Sequence, residues 1–246
     1  MAINKPLLYE KVKETLLSRT STIDFNLSLV LYLIEKTIFN DCTRHCIVKG
    51  HKSDWAGLPD TKSLFHAGKN CGLPIGNLTS QLFGNIYLNE FDHFVKKELG
   101  VRFYGRYVDD FVLVHQDKEF LKSLIPIMSL FLQKKLLLTM HPHKIYLQHY
   151  SKGIQYLGVI VKPGRIYMNK RVNGNFINAI KKQNILLSDH ILDIDEKKMF
   201  ISSINSYLGL MKHYKTYKIR RKISMEYMSI GWWKYVYLNG KITKFV

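Results

Sequence analysis

Two adjacent aspartates stand between two short runs of β-forming residues. Residues 101–107 and 111–115 are rich in aromatic and β-branched side chains, and the tip between them places Asp109 and Asp110 side by side after a tyrosine and a valine. The spacing predicts a tight hairpin, yet the tip lacks the Asn-Gly or Asp-Gly pair that a two-residue turn prefers. A local rule broken at a tight turn often marks a functional site.

The chemistry that adjacent carboxylates can support is the binding of a hard divalent cation. Carboxylate oxygens hold Mg²⁺, which keeps its other positions for water and phosphate oxygens. Two such ions about 3.5–4 Å apart can activate an attacking oxygen and stabilise a leaving one in phosphoryl transfer. A solvated pair of acids in a turn is the alternative, and Asp109 and Asp110 alone do not decide between the two.

A segment rich in glycine and turn-forming residues, residues 72–81, precedes the hairpin and runs into a predicted helix. Such a segment exposes backbone N–H groups and small polar side chains at a helix start, where a phosphate or the edge of a nucleotide pair can bind. The alternative is an ordinary helix N-terminus in which Thr79 and Ser80 serve as capping residues.

The charge of the chain predicts a polyanionic partner. The 246 residues include 37 Lys+Arg and 19 Asp+Glu, a formal net charge of +18, while 46% hydrophobic and 23% charged residues exclude a disordered chain. Residues 162–246 carry 17 Lys+Arg against 5 Asp+Glu. Residues 213–222 interleave basic and aromatic side chains, a pattern that suits nucleic acid or a solvated helix face with tyrosines packed beneath it. The predicted nucleic-acid contacts are Lys212, Lys215, Lys218, Arg220 and Arg221.

The cysteines and the apolar pattern exclude several other classes. Cys42, Cys46 and Cys71 have no disulfide-framework spacing, which is typical of a reducing cytoplasm. Cys42, His45 and Cys46 could ligate zinc, but no second ligand pair lies nearby, which disfavours a structural site. No stretch approaches 18 apolar residues and the first residues do not form a signal peptide, so we expect a cytoplasmic protein that does not span a membrane.

Hydrophobic periodicity predicts helices over residues 4–17, 26–39, 78–99 and 117–137, and a mostly helical region from 170 to 228. In the third helix the residues expected to face inward are Leu82, Ile86, Phe91 and Val95. Short strands are predicted at residues 145–148, 154–161 and 165–168, and residues 40–76 form a long connection. Glycine, proline and asparagine near residues 162–173 mark the expected subdomain boundary.

Together, the hairpin and the glycine-rich segment closely resemble those of bacterial reverse transcriptases. The string Ile-Gly-Asn-Leu-Thr-Ser-Gln at residues 75–81 is similar to the diversity-generating retroelement branch, whereas most other reverse transcriptases begin this string with Gln and end it in Ser-Pro. Residues 53–55, 58–59 and 62–65, which include Lys62, precede it as they do in that group. The resemblance extends over essentially the whole chain.

The resemblance implies an RNA-directed DNA polymerase with an α+β fold. Residues 1–168 would form part of the palm, with a small antiparallel sheet backed by helices, and residues 169–246 a basic, mainly helical thumb. The implied reaction is two-metal nucleotidyl transfer with two Mg²⁺ ions, for which Mn²⁺ can substitute. The implied partners are an RNA template, a DNA primer, deoxynucleoside triphosphates and a small basic accessory protein.

The resemblance also assigns roles to single residues. Asp109, with its neighbour Asp110, matches the metal-binding motif, and Lys144 matches a lysine proposed to protonate the pyrophosphate leaving group; a surface lysine before a strand is the alternative for Lys144. The implied nucleotide- and template-binding residues are Gly76, Asn77, Ser80 and Gln81, and the implied primer grip is Tyr156, Leu157 and Gly158.

One further catalytic aspartate belongs to the family pattern, on a strand before the first palm helix. By comparison with relatives it would lie a handful of residues before Met1, with the fingers region further upstream, and Asp24 and Asp41 are too far along the chain to replace it. We therefore expect an N-terminally truncated sequence, either because Met1 is internal to a longer reading frame or because the gene is truncated. On that hypothesis the isolated chain should show no template-directed synthesis beyond a variant lacking Asp109 and Asp110. The alternative function is a catalytically incomplete nucleic-acid-binding remnant.

Overall fold

Helices and two small antiparallel sheets make up the chain, which confirms the predicted α+β class. The computed structural model describes residues 3–18, 26–44, 46–47, 51–60, 63–189 and 193–244, and these contain seven α-helices and five strands. Asp24, His45 and Lys62 lie outside the described residues. The chain divides into two compact units, Met1–Ile145 and Tyr146–Val246.

The N-terminal unit consists of four helices and one hairpin. Its elements are α1 (Lys5–Leu17), α2 (Leu27–Phe39), α3 (Leu78–His93), β1 (Phe103–Tyr107), β2 (Asp110–Val114) and α4 (Lys118–Leu136). Side-chain oxygens cap α1, α2 and α4, from Asn4, Asn26 and Asp117. A π-helical turn, Phe94–Glu98, continues α3 and completes most of the helix predicted at residues 78–99.

The inward face of α3 and its continuation agrees with the prediction at Phe91 and Val95, which are buried, and at Ile86, which packs against the core, but differs at Leu82. Phe83, Tyr87 and Phe91 are buried, whereas Leu82 is 56% exposed and the prediction for it is wrong. Two sets of apolar residues repeat along this helix, the predicted set and an aromatic set at intervals of four. The aromatic set faces the core because it buries larger side chains. The hydroxyl of Tyr87 donates to the carbonyl oxygen of Leu136 at 2.6 Å, which joins α3 to the end of α4.

The C-terminal unit consists of a three-stranded sheet followed by helices. Strands β3 (Ile154–Tyr156), β4 (Val159–Lys162) and β5 (Arg165–Met168) pair in sequence order, and α5 (Lys170–Asp189), α6 (Ile194–Met211) and α7 (Tyr217–Tyr227) follow. The single strand predicted at residues 154–161 is therefore two strands with a turn between them. Residues 145–148, also predicted as a strand, do not form one.

The sheet of this unit shares a core with its helices. Val159 and Met168 are buried in the same cluster as Phe176, Phe200 and Trp232. The boundary between the compact units therefore falls between residues 145 and 146, earlier than the expected boundary at 168, because the inward face of the sheet needs the helices to cover it. The assignment of the units to palm and thumb stays a prediction.

Replacing Gly153 with alanine is expected to destabilise the C-terminal unit by more than about 1 kcal/mol. Gly153 has a φ of +78°, and an added Cβ would lie 2.8 Å from the backbone oxygen of Val161 and 2.5 Å from Cγ of Lys162. Gly164 is the matched control, since its φ is +66° but nothing lies within 4 Å of the added Cβ. Urea unfolding of both variants separates steric crowding from backbone strain. Equal losses in the two would contradict the crowding argument.

Candidate active site

The predicted hairpin is present, and its turn is as short as an antiparallel pair allows. Phe103 pairs with Val114 at the base and Tyr107 pairs with Asp110 at the tip. Val108 and Asp109 are left as the two-residue turn, with Asp110 as the first residue of β2. Both Asp109 and Asp110 are exposed, so the acidic pair stands at the tip of the hairpin.

Val108 occupies a strained backbone conformation in this turn. Its φ is +55°, while Asp109 is not among the residues with a positive φ. A positive φ at the first central residue alone is the pattern of a type II′ turn, which usually has glycine at this position. A β-branched residue there costs about 1–3 kcal/mol and persists only where its surroundings hold it.

Arg106 on β1 provides such a hold. Its Nε and Nη2 donate to Oδ1 and Oδ2 of Asp92 at 2.8 and 2.6 Å, and its Nη1 donates to the carbonyl oxygen of Val108 at 2.7 Å. Asp92 lies in the last turn of α3. The side chains of Arg106 and Asp92 are 9% and 27% exposed. One guanidinium therefore joins the hairpin tip to a helix of the core.

Tyr104 completes this network from the same face of β1. Its hydroxyl donates to Oδ1 of Asp92 at 2.6 Å. Burial raises the pKa of Asp92, but hydrogen bonds from Arg106 and Tyr104 outweigh burial, so the pKa lies below its ordinary value. The hydrogen bond to Asp92 raises the pKa of Arg106, and burial followed by the bond to Asp92 raises the pKa of Tyr104. Asp92 is therefore ionised and Arg106 protonated near neutral pH.

Arg106, Asp92 and Tyr104 are not among the site residues predicted from the sequence. A weak signal exists, because strand alternation places Tyr104 and Arg106 on one face of β1, and a cation on a half-buried strand face needs an acid. Which acid it would be depends on how α3 packs against the hairpin. The pairing is therefore visible only in the folded chain.

The glycine-rich segment ends at the start of α3. Gly76 has a φ of +103°, and Asn77 is the N-cap in an extended conformation, with its carbonyl oxygen accepting from the N–H of Gln81 at 3.3 Å. Since the helix begins at Leu78, the alternative in which Thr79 and Ser80 cap it is wrong. Gln81 is exposed and Ser80 is half-buried.

A groove lies beside this helix start. It has a volume of about 350 Å³. Asn77 and Ser80 line it from α3, and Lys36 and Asn40 line it from the end of α2. Polar residues and apolar ones such as Leu33 and Phe83 thus line this groove together, next to the helix start, where backbone N–H groups can attract an anion.

One face of α3 approaches the hairpin tip at Asn85. Near the end of α3, Asp92 accepts a hydrogen bond from the hydroxyl of Tyr104. Nearer the start of the helix, Asn85 Oδ1 accepts from Nη1 of Arg106 at 3.4 Å, near the tip. Gln81 is one helical turn further toward the N-terminus on the same face, about 6 Å along the axis. The structure therefore brings the segment containing Gln81 toward the hairpin tip.

Two other predicted sites, Lys144 and the turn at Leu157 and Gly158, belong to other segments of the chain. Lys144 is exposed in the 3₁₀ turn Pro142–Lys144, and among the described residues no hydrogen bond or ion pair joins it to Asp109 or Asp110. Leu157 and Gly158 form the two-residue turn between β3 and β4, with φ of +50° and +80°, as in a type I′ turn. Tyr156, at the end of β3, is half-buried and belongs with them to the C-terminal unit.

The predicted nucleic-acid contacts need one correction. Arg220 is only 5% exposed, and its Nη1 donates to the carbonyl oxygens of Lys241 and Ile242. Burial lowers the pKa of Arg220, and the side chain ties the C-terminal loop to α7 instead of facing solvent. The remaining members of the predicted set are exposed: Lys212, Lys215, Lys218 and Arg221.

The acidic pair fits a magnesium ion by its chemistry. Neither the carboxylate of Asp109 nor that of Asp110 makes a hydrogen bond or ion pair with any residue that the structure describes, so both are free to bind a cation. Mg²⁺ usually takes one or two protein carboxylates and completes its octahedron with water and substrate phosphates. The described residues contain no cluster of three or more His, Cys, Asp and Glu side chains that could hold a metal.

No helix within the described ranges is long and apolar enough to cross a membrane.

No curated protein matches the chain. The family model described as reverse transcriptase (RNA-dependent DNA polymerase) matches residues 34–161, which is more than half of the chain and includes the glycine-rich segment, the acidic pair, Lys144 and the turn at Leu157 and Gly158. The chain therefore belongs to the reverse transcriptase family.

Proposed function

We propose that this chain is the palm and thumb portion of an RNA-directed DNA polymerase that extends a DNA primer along an RNA template by two-metal nucleotidyl transfer. Membership of the reverse transcriptase family supports the general activity. The observation that carries the mechanism is the pair of free carboxylates, Asp109 and Asp110, at the exposed hairpin tip.

Asp109 and Asp110 would hold the metal ions in this mechanism. Bound Mg²⁺ would lower the pKa of the primer hydroxyl and neutralise charge on the phosphates, and Mn²⁺ could take its place. The carboxylates themselves orient the reacting groups, since their exposed position leaves space for the triphosphate and the primer end. Their hard carboxylate oxygens make them suitable ligands for Mg²⁺.

The start of α3 would position the incoming nucleotide. The unpaired backbone N–H groups of the first helical turn and the positive end of the helix attract phosphate oxygens. Gly76, with its positive φ, brings the chain into this turn, and Asn77, Ser80 and Gln81 offer amide and hydroxyl groups to the nucleotide and the template base. Lys36, at the same groove, adds a positive charge.

Lys144 would donate the proton that the leaving pyrophosphate needs. Its Nζ is exposed and carries a transferable proton, and developing negative charge on the leaving oxygen favours a nearby cation. The exposed position of Lys144 leaves the side chain free to reach a substrate. The turn at Tyr156, Leu157 and Gly158 would hold the primer end.

The exposed cations Lys212, Lys215, Lys218 and Arg221 would contact the phosphates of the template–primer duplex. Each phosphate neutralised releases condensed counterions, so binding should weaken steeply as salt rises. These cations also support a second candidate function, a nucleic-acid-binding protein without chemistry, because they bind phosphate whether or not the acidic pair holds metal.

The finer assignment to a diversity-generating retroelement is also a proposal. It is supported by the string at residues 75–81, which ends in Ser80 and Gln81 instead of the Ser-Pro typical of other branches. It carries with it a small basic accessory protein as partner and a cytoplasmic location.

The test is primer extension by the protein expressed from the longest open reading frame that contains this chain. With an RNA template, a DNA primer and Mg²⁺, we expect incorporation of the deoxynucleotide complementary to each template base, and none when Mg²⁺ is removed by a chelator. Salt-dependent RNA binding without incorporation would overturn the polymerase proposal and favour the second candidate. Neither binding nor incorporation would overturn both.

A further inference from the structure

Arg106 is placed to control the geometry of the acidic pair without belonging to it. We infer that Arg106 is a positioning residue, which holds the peptide between Val108 and Asp109 in the orientation that presents both carboxylates to a divalent cation. The inference rests on the proposed metal-binding role of Asp109 and Asp110 and adds to it a residue that touches neither metal nor substrate.

The contact of Arg106 with the turn fixes a whole peptide plane. Its Nη1 bonds the carbonyl oxygen of Val108 at 2.7 Å. That carbonyl and the N–H of Asp109 belong to one planar peptide unit, so fixing the oxygen also fixes the direction from which the chain enters Asp109. Because Val108 has a φ of +55°, the turn would relax toward a less strained conformation without an external hold.

The guanidinium is itself held in a single orientation. Two of its nitrogens bond both carboxylate oxygens of Asp92, and this two-point contact leaves the planar group no freedom to rotate. Tyr104 bonds the same carboxylate, so Asp92 is fixed as well. The side chain of Arg106 is 9% exposed and its bonds to Asp92 are partly buried, which strengthens these charged hydrogen bonds, whereas its bond to the carbonyl oxygen of Val108 lies at the exposed tip.

Helix α3 is the base to which this network attaches. It is anchored in the core through Tyr87 and Phe91, and it also carries Ser80 and Gln81 near its start. Through Asp92 and Arg106 the same helix sets the position of the hairpin tip. The nucleotide-binding segment and the metal-binding pair are therefore set relative to each other by one rigid element.

Arg106→Gln and Tyr104→Phe form the test pair. Arg106→Gln removes the guanidinium bonds to both Asp92 and Val108, whereas Tyr104→Phe removes one bond to Asp92 and leaves the bond from Arg106 to the tip. Arg106→Lys is the conservative variant, since a single ammonium cannot replace a guanidinium that bonds Asp92 at two points and Val108 at a third. It should show an intermediate effect.

The readout is Mn²⁺ affinity, measured on the folded protein by electron paramagnetic resonance of the free ion, alongside the Mg²⁺ concentration that gives half-maximal primer extension. Loss of an outer contact to metal ligands typically costs 10–100-fold in affinity or activity. We expect Arg106→Gln to weaken Mn²⁺ binding by about tenfold or more and to raise the Mg²⁺ requirement in parallel, and Tyr104→Phe to stay within about twofold of the wild type.

Unchanged Mn²⁺ affinity in folded Arg106→Gln protein would overturn the inference, as would equal losses in Tyr104→Phe, which would indicate a general loss of structure. Asp109→Asn serves as the reference for a lost ligand. If the wild-type protein of the longest open reading frame binds Mn²⁺ through Asp109 but extends no primer, the polymerase proposal fails, while the role of Arg106 is still decided by the Mn²⁺ affinities alone.

Discussion

In the protein expressed from the longest open reading frame that contains this chain, Asp109→Asn is expected to reduce template-directed primer extension by about 1000-fold or more, because it removes a charge that acts on the transition state. Asparagine keeps the size of the side chain but supplies one neutral oxygen in place of a charged carboxylate. Asp109 is exposed in a two-residue turn and makes no contact with other described side chains, so the substitution should leave the fold unchanged. Asp110→Asn should have a similar effect.

Glu119→Gln is the control for this loss of charge. Glu119 is exposed in the first turn of α4 and pairs only with Lys122 on the surface, at 2.8 Å. Such pairs contribute little to stability. Single-turnover extension should therefore stay within about twofold of the wild type for Glu119→Gln. An Asp109→Asn protein that keeps more than about a tenth of the wild-type rate would contradict a metal-binding role for Asp109.

Phe200→Ala is expected to destabilise the C-terminal unit by about 3–5 kcal/mol, the usual cost of removing a buried phenyl ring. The ring of Phe200 is fully buried and stacks on Trp232, with centroids 3.6 Å apart and an angle of 7° between the planes. These two rings join α6 to the C-terminal 3₁₀ segment Ile230–Lys234. Alanine would leave a cavity against the indole that the surrounding residues cannot fill.

Met199→Ala is the matched control, since the neighbouring side chain is 65% exposed on the same helix. Urea unfolding followed by tryptophan fluorescence gives the midpoints, and hydrogen exchange measured by mass spectrometry assigns the loss to residues 146–246. Because the two compact units have separate hydrophobic clusters, exchange in the N-terminal unit should change little. A midpoint for Phe200→Ala equal to that of Met199→Ala would contradict this packing.

Short-range signals account for the parts of the fold that the sequence predicts correctly. The helix predicted at residues 4–17 forms as α1, where Asn4 accepts from the N–H of Leu7 and Pro6 lies in the first turn. The hairpin and its acidic tip follow from two β-rich runs with almost nothing between them. These features depend on neighbouring residues, whose preferences survive in the folded chain.

The errors occur where distant parts of the chain decide the outcome. Residues 145–148 include β-forming apolar and aromatic side chains, but no strand among the described residues pairs with them, and they are irregular. Arg220 lies in a basic run that predicts an exposed surface. In the folded chain its side chain is buried and donates hydrogen bonds to carbonyl oxygens of the C-terminal loop. The bonds between Arg106 and Asp92 depend on the same kind of long-range contact, and no local pattern specifies them.

At Val108, thermal stability and polymerase activity favour different residues. Glycine adopts a φ of +55° without strain, so a library of variants selected for heat resistance alone should accumulate glycine at position 108. The same substitution would loosen the peptide that leads into the acidic pair. Selection for polymerase activity should favour valine, or another side chain that keeps the turn stiff, at the expense of thermal tolerance.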